Sequence, residues 1–158
     1  MKKYFLSSAA KLIYAILFIL IIQSIGDISI EDDLIWYRSL TKPPFVPPSY
    51  VFGVVWPILY LMIAISFWEV WIKRKTQKKI VYIYFFLQIF FNLAWPFCFF
   101  YLQNILLGFI DIILLDIFIF LTLIRFAKIS IFSTIMLIPY ALWVLFATYL
   151  NIGYLLLN

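Results

Sequence analysis

The sequence predicts an all-α membrane protein, a bundle of five transmembrane helices with its N-terminus inside and its C-terminus outside. Three observations carry this. Of 158 residues, 67% are hydrophobic and only 12% charged, whereas a soluble domain of this length uses roughly 25% charged residues to cover its surface. The apolar residues gather into stretches close to the roughly 20 residues that a bilayer core about 30 Å thick requires. Lys and Arg concentrate in alternate connections, the pattern of positively charged cytoplasmic loops. Only four glycines and no polar–apolar alternation argue against a β-barrel.

The first apolar stretch runs from Tyr4 to Ile25, broken by Lys11, a residue long enough to snorkel to the interface. Lys2 and Lys3 ahead of an apolar run, with Ser24-Ile25-Gly26 as a passable cleavage site, also resemble a secretory signal peptide. The interrupting Lys11 and the full length from Tyr4 favour an uncleaved span. The second stretch is Tyr50 to Ile72, the third Ile80 to Tyr101, the fourth Ile105 to Ile124 and the fifth Ile131 to Leu157. Short connections imply antiparallel neighbours. The whole chain, 1–158, is thus one five-helix domain, and its one long connection is an outer Pro-rich loop at about 26–49.

Lys2, Lys3, Lys11, Lys73, Arg74, Lys75, Lys78, Lys79, Arg125 and Lys128 all fall on one side of a five-span chain. The other side holds Arg38 and Lys42 beside Asp27, Glu31, Asp32 and Asp33. The net charge of +5 therefore belongs to cytoplasmic loops and implies no nucleic-acid partner. Cys98 stands alone, so there is no intrachain disulfide and no CxxC redox pair. The absence of His removes the commonest metal ligand and general base, and no metal site is expected.

Within the long connection, Lys42-Pro43-Pro44-Phe45-Val46-Pro47-Pro48 cannot be helical, because proline restricts itself and the residue before it. A stiff, extended polyproline-type segment is expected. It is either a plain connector or a lid over the bundle; an SH3 ligand is disfavoured by its outward placement.

Here the chain resembles a known family. Trp36-Tyr37-Arg38-Ser39-Leu40-Thr41-Lys42-Pro43-Pro44-Phe45-Val46-Pro47-Pro48, then Val51-Phe52-Gly53-Val54-Val55-Trp56-Pro57, is similar to the TspO/MBR family. That family comprises bacterial tryptophan-rich sensory proteins and mitochondrial translocator proteins. Phe91-Asn92-Leu93-Ala94-Trp95-Pro96, the run from Asp111 to Leu115, and Pro139-Tyr140-Ala141-Leu142-Trp143 through Asn151 also match. The resemblance implies a five-helix bundle, usually a homodimer, that binds porphyrins and other hydrophobic ligands in a pocket under the first loop. It places Trp56 and Asn92 on ligand-contacting positions, and Trp56 with Trp143 on positions tied to light-dependent porphyrin breakdown. Two departures stand out. Phe45 takes a place where the family often has Trp, and no Lys or Arg follows Tyr149 or Tyr154, which puts sterol binding in doubt.

Helix geometry gives an independent check. At about 1.5 Å per residue, Trp56, Trp95 and Asp111 each lie about 9 Å below the outer surface, with Asn92 and Trp143 a turn or two deeper. Phe52, Trp56 and Tyr60 share one helix face, Asn92, Trp95 and Phe99 another, and Tyr140, Trp143 and Ala147 a third. The expected ligand pocket is therefore Trp36, Phe52, Trp56, Asn92, Trp95, Phe99, Asp111, Trp143 and Ala147, with Trp56 and Trp143 as candidate catalytic residues. Simpler roles compete. Trp36, Trp68 and Trp71 fit an interfacial belt, and Asn92 can bond a neighbouring helix. Pro57, Pro96 and Pro139 can act only as kinks. Asp111 and Asp116 lie about 140° apart round one helix, too far to form a carboxylate pair. Each is expected to face inward or be neutral and bonded to another helix. Glu69 is expected to pair with Lys73 or Arg74.

The function expected is that of a membrane receptor-like protein for porphyrin, such as protoporphyrin, or another hydrophobic small molecule. No cofactor is required, and membrane lipid surrounds the protein. Photo-oxidation of porphyrin through Trp56 and Trp143, and transport of porphyrin or lipid, are the alternatives. The expected location is the bacterial cytoplasmic membrane rather than the mitochondrial outer membrane.

Overall fold

The computed structural model describes residues 7–31, 34–73 and 79–158, and everything described is helix, turn or extended connection. In order the elements are α1 (Ser8–Glu31), α2 (Leu34–Ser39), α3 (Ser49–Ile72), α4 (Lys79–Pro96) with a π-helical turn (Phe97–Tyr101), α5 (Ile105–Ala127) and α6 (Ile131–Leu157). Four units, namely α3, α4 with its π-turn, α5 and α6, are long and apolar enough to cross a membrane; α1 adds a shorter apolar stretch, Ser8–Ile22. Round the bundle the order is α1, α3, α6, α5, α4, each packing on the next and α4 returning to α1.

The third and fourth spans are joined by chemistry that the residues dictate. Pro96 lacks the N–H that would bond the carbonyl four residues back, and the helix widens directly after it. Leu102 N–H donates to the Phe97 carbonyl (3.0 Å) and Asn104 N–H to that of Cys98 (3.3 Å). Gln103 then turns left-handed at φ 49°, and the Asn104 side chain caps α5 by accepting from Leu107 N–H at 2.9 Å. Such a cap satisfies an orphan donor in the first turn of the helix.

The core alternates aromatic stacking with small polar links. Phe67, Phe85 and Phe126 stack across α3, α4 and α5 with ring centroids 4.4 and 5.9 Å apart. Ser66 Oγ donates to the Ser133 carbonyl at 2.7 Å, fastening α3 to α6. Large apolar side chains such as Leu142, Phe120 and Ile58 stay exposed, as a lipid-facing surface requires.

At one end of the bundle lie Lys11, Lys73, Lys79, Arg125 and Lys128, and this is called the basic end. Here Glu69 pairs with Lys73 at 2.6 Å, as the four-residue spacing predicts. Ser130 accepts from Lys73 Nζ and donates to Glu69 Oε1, each at 3.1 Å. Trp68 Nε1 donates to the Ser8 carbonyl at 2.9 Å, and Lys11 Nζ sits 5.8 Å above the Trp71 ring. These two tryptophans therefore tie α1 to α3. Lys2, Lys3, Asp32, Asp33, Arg74, Lys75 and Lys78, used in the charge count, lie outside the described residues.

Two expectations need correction. The connection at 26–49 is not a loop throughout: α1 continues to Glu31, and α2 occupies Leu34–Ser39. Glycine at 26 is tolerated because one helical glycine costs only about 1 kcal/mol. The proline segment is not uniformly extended either. Pro44 and Phe45 form a turn, with Phe45 left-handed at φ 65°, a conformation a bulky residue rarely adopts.

Candidate functional site at the covered end

The end opposite the lysines is closed by α2 and the segment 40–48. Three contacts fasten this cover to the last turns of α6. Tyr154 Oη donates to Tyr37 Oη at 2.8 Å. Asn158 closes a two-way clasp with Thr41, accepting from its N–H at 2.8 Å and donating to its carbonyl at 3.1 Å. Pro43 is buried directly on Gly153, where an added Cβ would come within 2.4 Å of the proline ring. Glycine at 153 is thus required by close approach. The proline segment is docked on α6 through Tyr154, Asn158 and Gly153, none of them among the residues expected for the site.

Beneath it the aromatic side chains form two tiers. The upper tier centres on Phe99, which is buried. Trp36 meets its edge at 5.6 Å and Trp95 stacks on it at 5.1 Å. Tyr37 and Tyr154 complete the ring contacts at 6.3 and 5.8 Å. The π-turn makes this possible, because it moves Phe99 against Gly108 of α5, where a Cβ would lie 3.0 Å from the ring.

The lower tier lies between α3, α4 and α6. Trp56 stacks on Tyr60 at 5.3 Å and approaches Tyr140 at 6.5 Å. Tyr60 Oη donates to Asn92 Oδ1 at 2.9 Å, so buried Asn92 does join two helices. One turn nearer the cover, Phe52 meets Trp143 edge-on at 5.7 Å. Trp95, Trp143 and Ala147 pack against the main core, and Trp95 touches both tiers.

All nine expected pocket residues therefore lie in the covered half, but one depth was misjudged. Trp143 is level with Phe52 and nearer the cover than Trp56, not deeper. Its helix extends past the start of α3 to reach Thr41, so counting inward from Leu157 overstates depth. Trp56 and Trp143 occupy successive rungs of the α3–α6 contact. Asp116 accepts from Thr148 Oγ1 at 2.7 Å, the expected bond to a neighbouring helix. Asp111 is buried with no partner for Oδ2.

That oxygen belongs to a set. Trp95 Nε1, Trp143 Nε1, Tyr140 Oη and both amide atoms of Asn151 are likewise buried without a hydrogen-bond partner, as are Gln88 and Ser133 Oγ nearer the basic end. Asn151 is the member missed from sequence. Its place three residues before Tyr154, on the face that runs through Thr148 and Val144, was the available signal. No group of metal-ligating side chains forms among the described residues.

A family model described as the TspO/MBR family matches residues 12–157. The tryptophan-rich protein TspO of Chlorobaculum tepidum is 39% identical over 127 residues, covering 78% of this chain and 79% of that protein. The tryptophan-rich protein TspO of Archaeoglobus fulgidus is 38% identical over 115 residues, 72% of this chain and 75% of its own. The human translocator protein is 32% identical over 88 residues, covering 54% and 52% of the two chains.

Proposed function

This chain belongs to the TspO/MBR family, and from that premise we propose that it is a receptor-like membrane protein binding porphyrins and other hydrophobic ligands beneath the cover. The observation that carries this reading is that Trp95, Trp143, Asp111 and Asn151 of the covered half hold buried polar atoms without hydrogen-bond partners, while the rings of Trp95 and Trp143 contact further aromatic side chains. A buried polar atom without a partner costs about 1–3 kcal/mol. A planar ligand with carboxylates and ring nitrogens supplies both kinds of partner at once, acceptors for the indole N–H groups and donors for Asp111 and Asn151. Stacking on the rings would add about 1–3 kcal/mol per contact by analogy with base stacking.

In this reading α1 is the fifth span and the basic end faces the cytoplasm, by the distribution of Lys and Arg. The pocket then opens towards the outer leaflet of a bacterial cytoplasmic membrane. The protein works as a homodimer and requires no resident cofactor. No Lys or Arg follows Tyr149 or Tyr154 in the residues given, so the fifth-helix motif does not argue for sterol as its ligand.

An enzyme reading draws on the two rungs between α3 and α6, where Trp56 and Trp143 each hold a ring partner on the other helix. Light-dependent porphyrin breakdown would use them as electron relays. One experiment separates the readings. Trp56→Phe, Trp143→Phe and the basic-end control Trp71→Phe are titrated with protoporphyrin and then illuminated. A pure binder loses affinity in the first two, by about 1 kcal/mol or less per lost hydrogen bond, and consumes no porphyrin. An enzyme keeps its affinity within several-fold and loses photobleaching in both. Equal effects in Trp71→Phe would discard the site.

A further inference from the structure

The middle of the bundle holds a polar layer that the ligand pocket does not use. Its level follows from the ring and hydrogen-bond pairs on either side. Asn92 of α4 meets Tyr60 of α3, and Phe85 meets Phe67, so Gln88 falls level with Ala64. Phe91 stacks on Phe118 of α5 at 5.5 Å and Phe85 on Phe126, which sets Gln88 level with Thr122 as well. Ser66, two residues beyond Ala64, is bonded to the Ser133 carbonyl of α6. All five of these side chains are buried. Towards the cover the next row is Trp56, Tyr60 and Tyr140, and towards the basic end it is Phe67, Phe85 and Phe126. Between two rows of large rings, the small side chains of Ala64, Ser66, Thr122 and Ser133 leave room beside one glutamine.

Gln88 and Ser133 are both 0% exposed, and neither amide atom of Gln88 nor the hydroxyl of Ser133 has a hydrogen-bond partner. Their neighbours differ. Thr122 Oγ1 donates to the Phe118 carbonyl and Ser66 Oγ to that of Ser133, each at 2.7 Å. The glutamine amide offers two donors and an acceptor, and the serine hydroxyl a donor and an acceptor. Water matches both kinds at once, and a buried water typically makes about three hydrogen bonds to such groups. We propose that Gln88 and Ser133 share an internal water at the level of Ala64. A metal ion is the poorer occupant, because both side chains are neutral and no group of metal-ligating residues forms among the described residues. The water extends a bonded track in both directions. Gln88 lies one turn along α4 from Asn92, which Tyr60 bonds. Ser133 N–H donates to Ser130 Oγ at 3.5 Å, and Ser130 joins Glu69 and Lys73. The polar interior of the covered half thereby continues to the basic end without passing the cover.

The test uses the full chain in lipid bilayers, with magnetisation transferred from water to isotope-labelled side chains in solid-state NMR. Gln88→Met identifies the Gln88 amide signal by its loss. In the wild type this amide is expected to receive water magnetisation at a rate close to that of exposed Gln103. It should run well ahead of the Ile63 side chain, which is equally buried one residue from Ala64. Ser133→Ala should lower the Gln88 rate about twofold, because the shared water loses one of about three bonds. Thr122→Val, at the same level but with a hydroxyl already bonded within its own helix, should leave the rate unchanged. A wild-type Gln88 rate no faster than that of Ile63 would overturn the proposal, since the layer would then be dry and Gln88 would bond Ser133 directly. An unchanged rate in Ser133→Ala, or an equal loss in Thr122→Val, would also overturn it.

Discussion

Gly153→Ala should unfasten the cover without disturbing the helices beneath it. A Cβ at 153 would lie 2.4 Å from Pro43 Cβ and 3.0 Å from its Cγ, against about 3.5–4.0 Å for a relaxed carbon pair. The segment must lift by about 1 Å, which strains the Thr41–Asn158 clasp beside it. Overpacking of this kind costs about 1–3 kcal/mol. Alanine also favours helix over glycine by about 1 kcal/mol, but α6 is helical whether the cover is docked or lifted, so that gain cancels. The docked state should weaken about 5- to 150-fold. Hydrogen exchange reads this directly, because the Thr41 amide is protected by Asn158 only while the cover is down. Protoporphyrin release, followed by fluorescence, should quicken by the same factor. Gly53→Ala is the control, since a Cβ there meets nothing within 4 Å. Unchanged exchange at Thr41 in Gly153→Ala would refute the docking argument. Faster exchange with unchanged release would reduce the cover to a connector.

Other perturbations follow from single contacts. Tyr60→Phe removes the hydroxyl that bonds buried Asn92 and should cost about 1–3 kcal/mol in denaturant unfolding. Thr148→Val breaks the α6–α5 bond to Asp116 and should cost less, about 0.6 kcal/mol, the average for interhelical bonds in a membrane. Ser130→Ala removes the α6 cap together with the bridge to Glu69 and Lys73, with a loss of about 0.5–2 kcal/mol expected in the same assay. For topology, a cysteine at exposed Lys128 should react only from the cytoplasmic face and one at exposed Ser49 only from outside. The reverse pattern would invert the protein.

The architecture was legible because lipid makes secondary structure a matter of run length and loop charge. Four long apolar runs ending near Ile72, Tyr101, Ala127 and Leu157 need no tertiary information to be found. Legibility failed where backbone geometry departs from a straight helix. The π-turn after Pro96 sets Phe99 against Gly108, and nothing in a 3.6-residue period foretells it. The overhang of α6 depends on its partners in the cover, so the depth of Trp143 could not be counted from its own helix. Gly153 matters through Pro43, more than a hundred residues away in the chain. Composition could nominate the tryptophans, yet only packing separates Trp68, which donates to Ser8, from Trp95, whose indole N–H has no hydrogen-bond partner.

The most direct measurement of the central claim is a map of where bound porphyrin sits. Protoporphyrin bound at stoichiometric amounts and briefly illuminated generates short-lived oxidants that modify nearby aromatic side chains, and peptide mass spectrometry locates them. The account predicts modification concentrated on Trp36, Trp95, Trp143 and Tyr154, suppressed by excess unreactive ligand. Modification concentrated on Tyr14, Trp71 and Tyr82, towards the basic end, would contradict it.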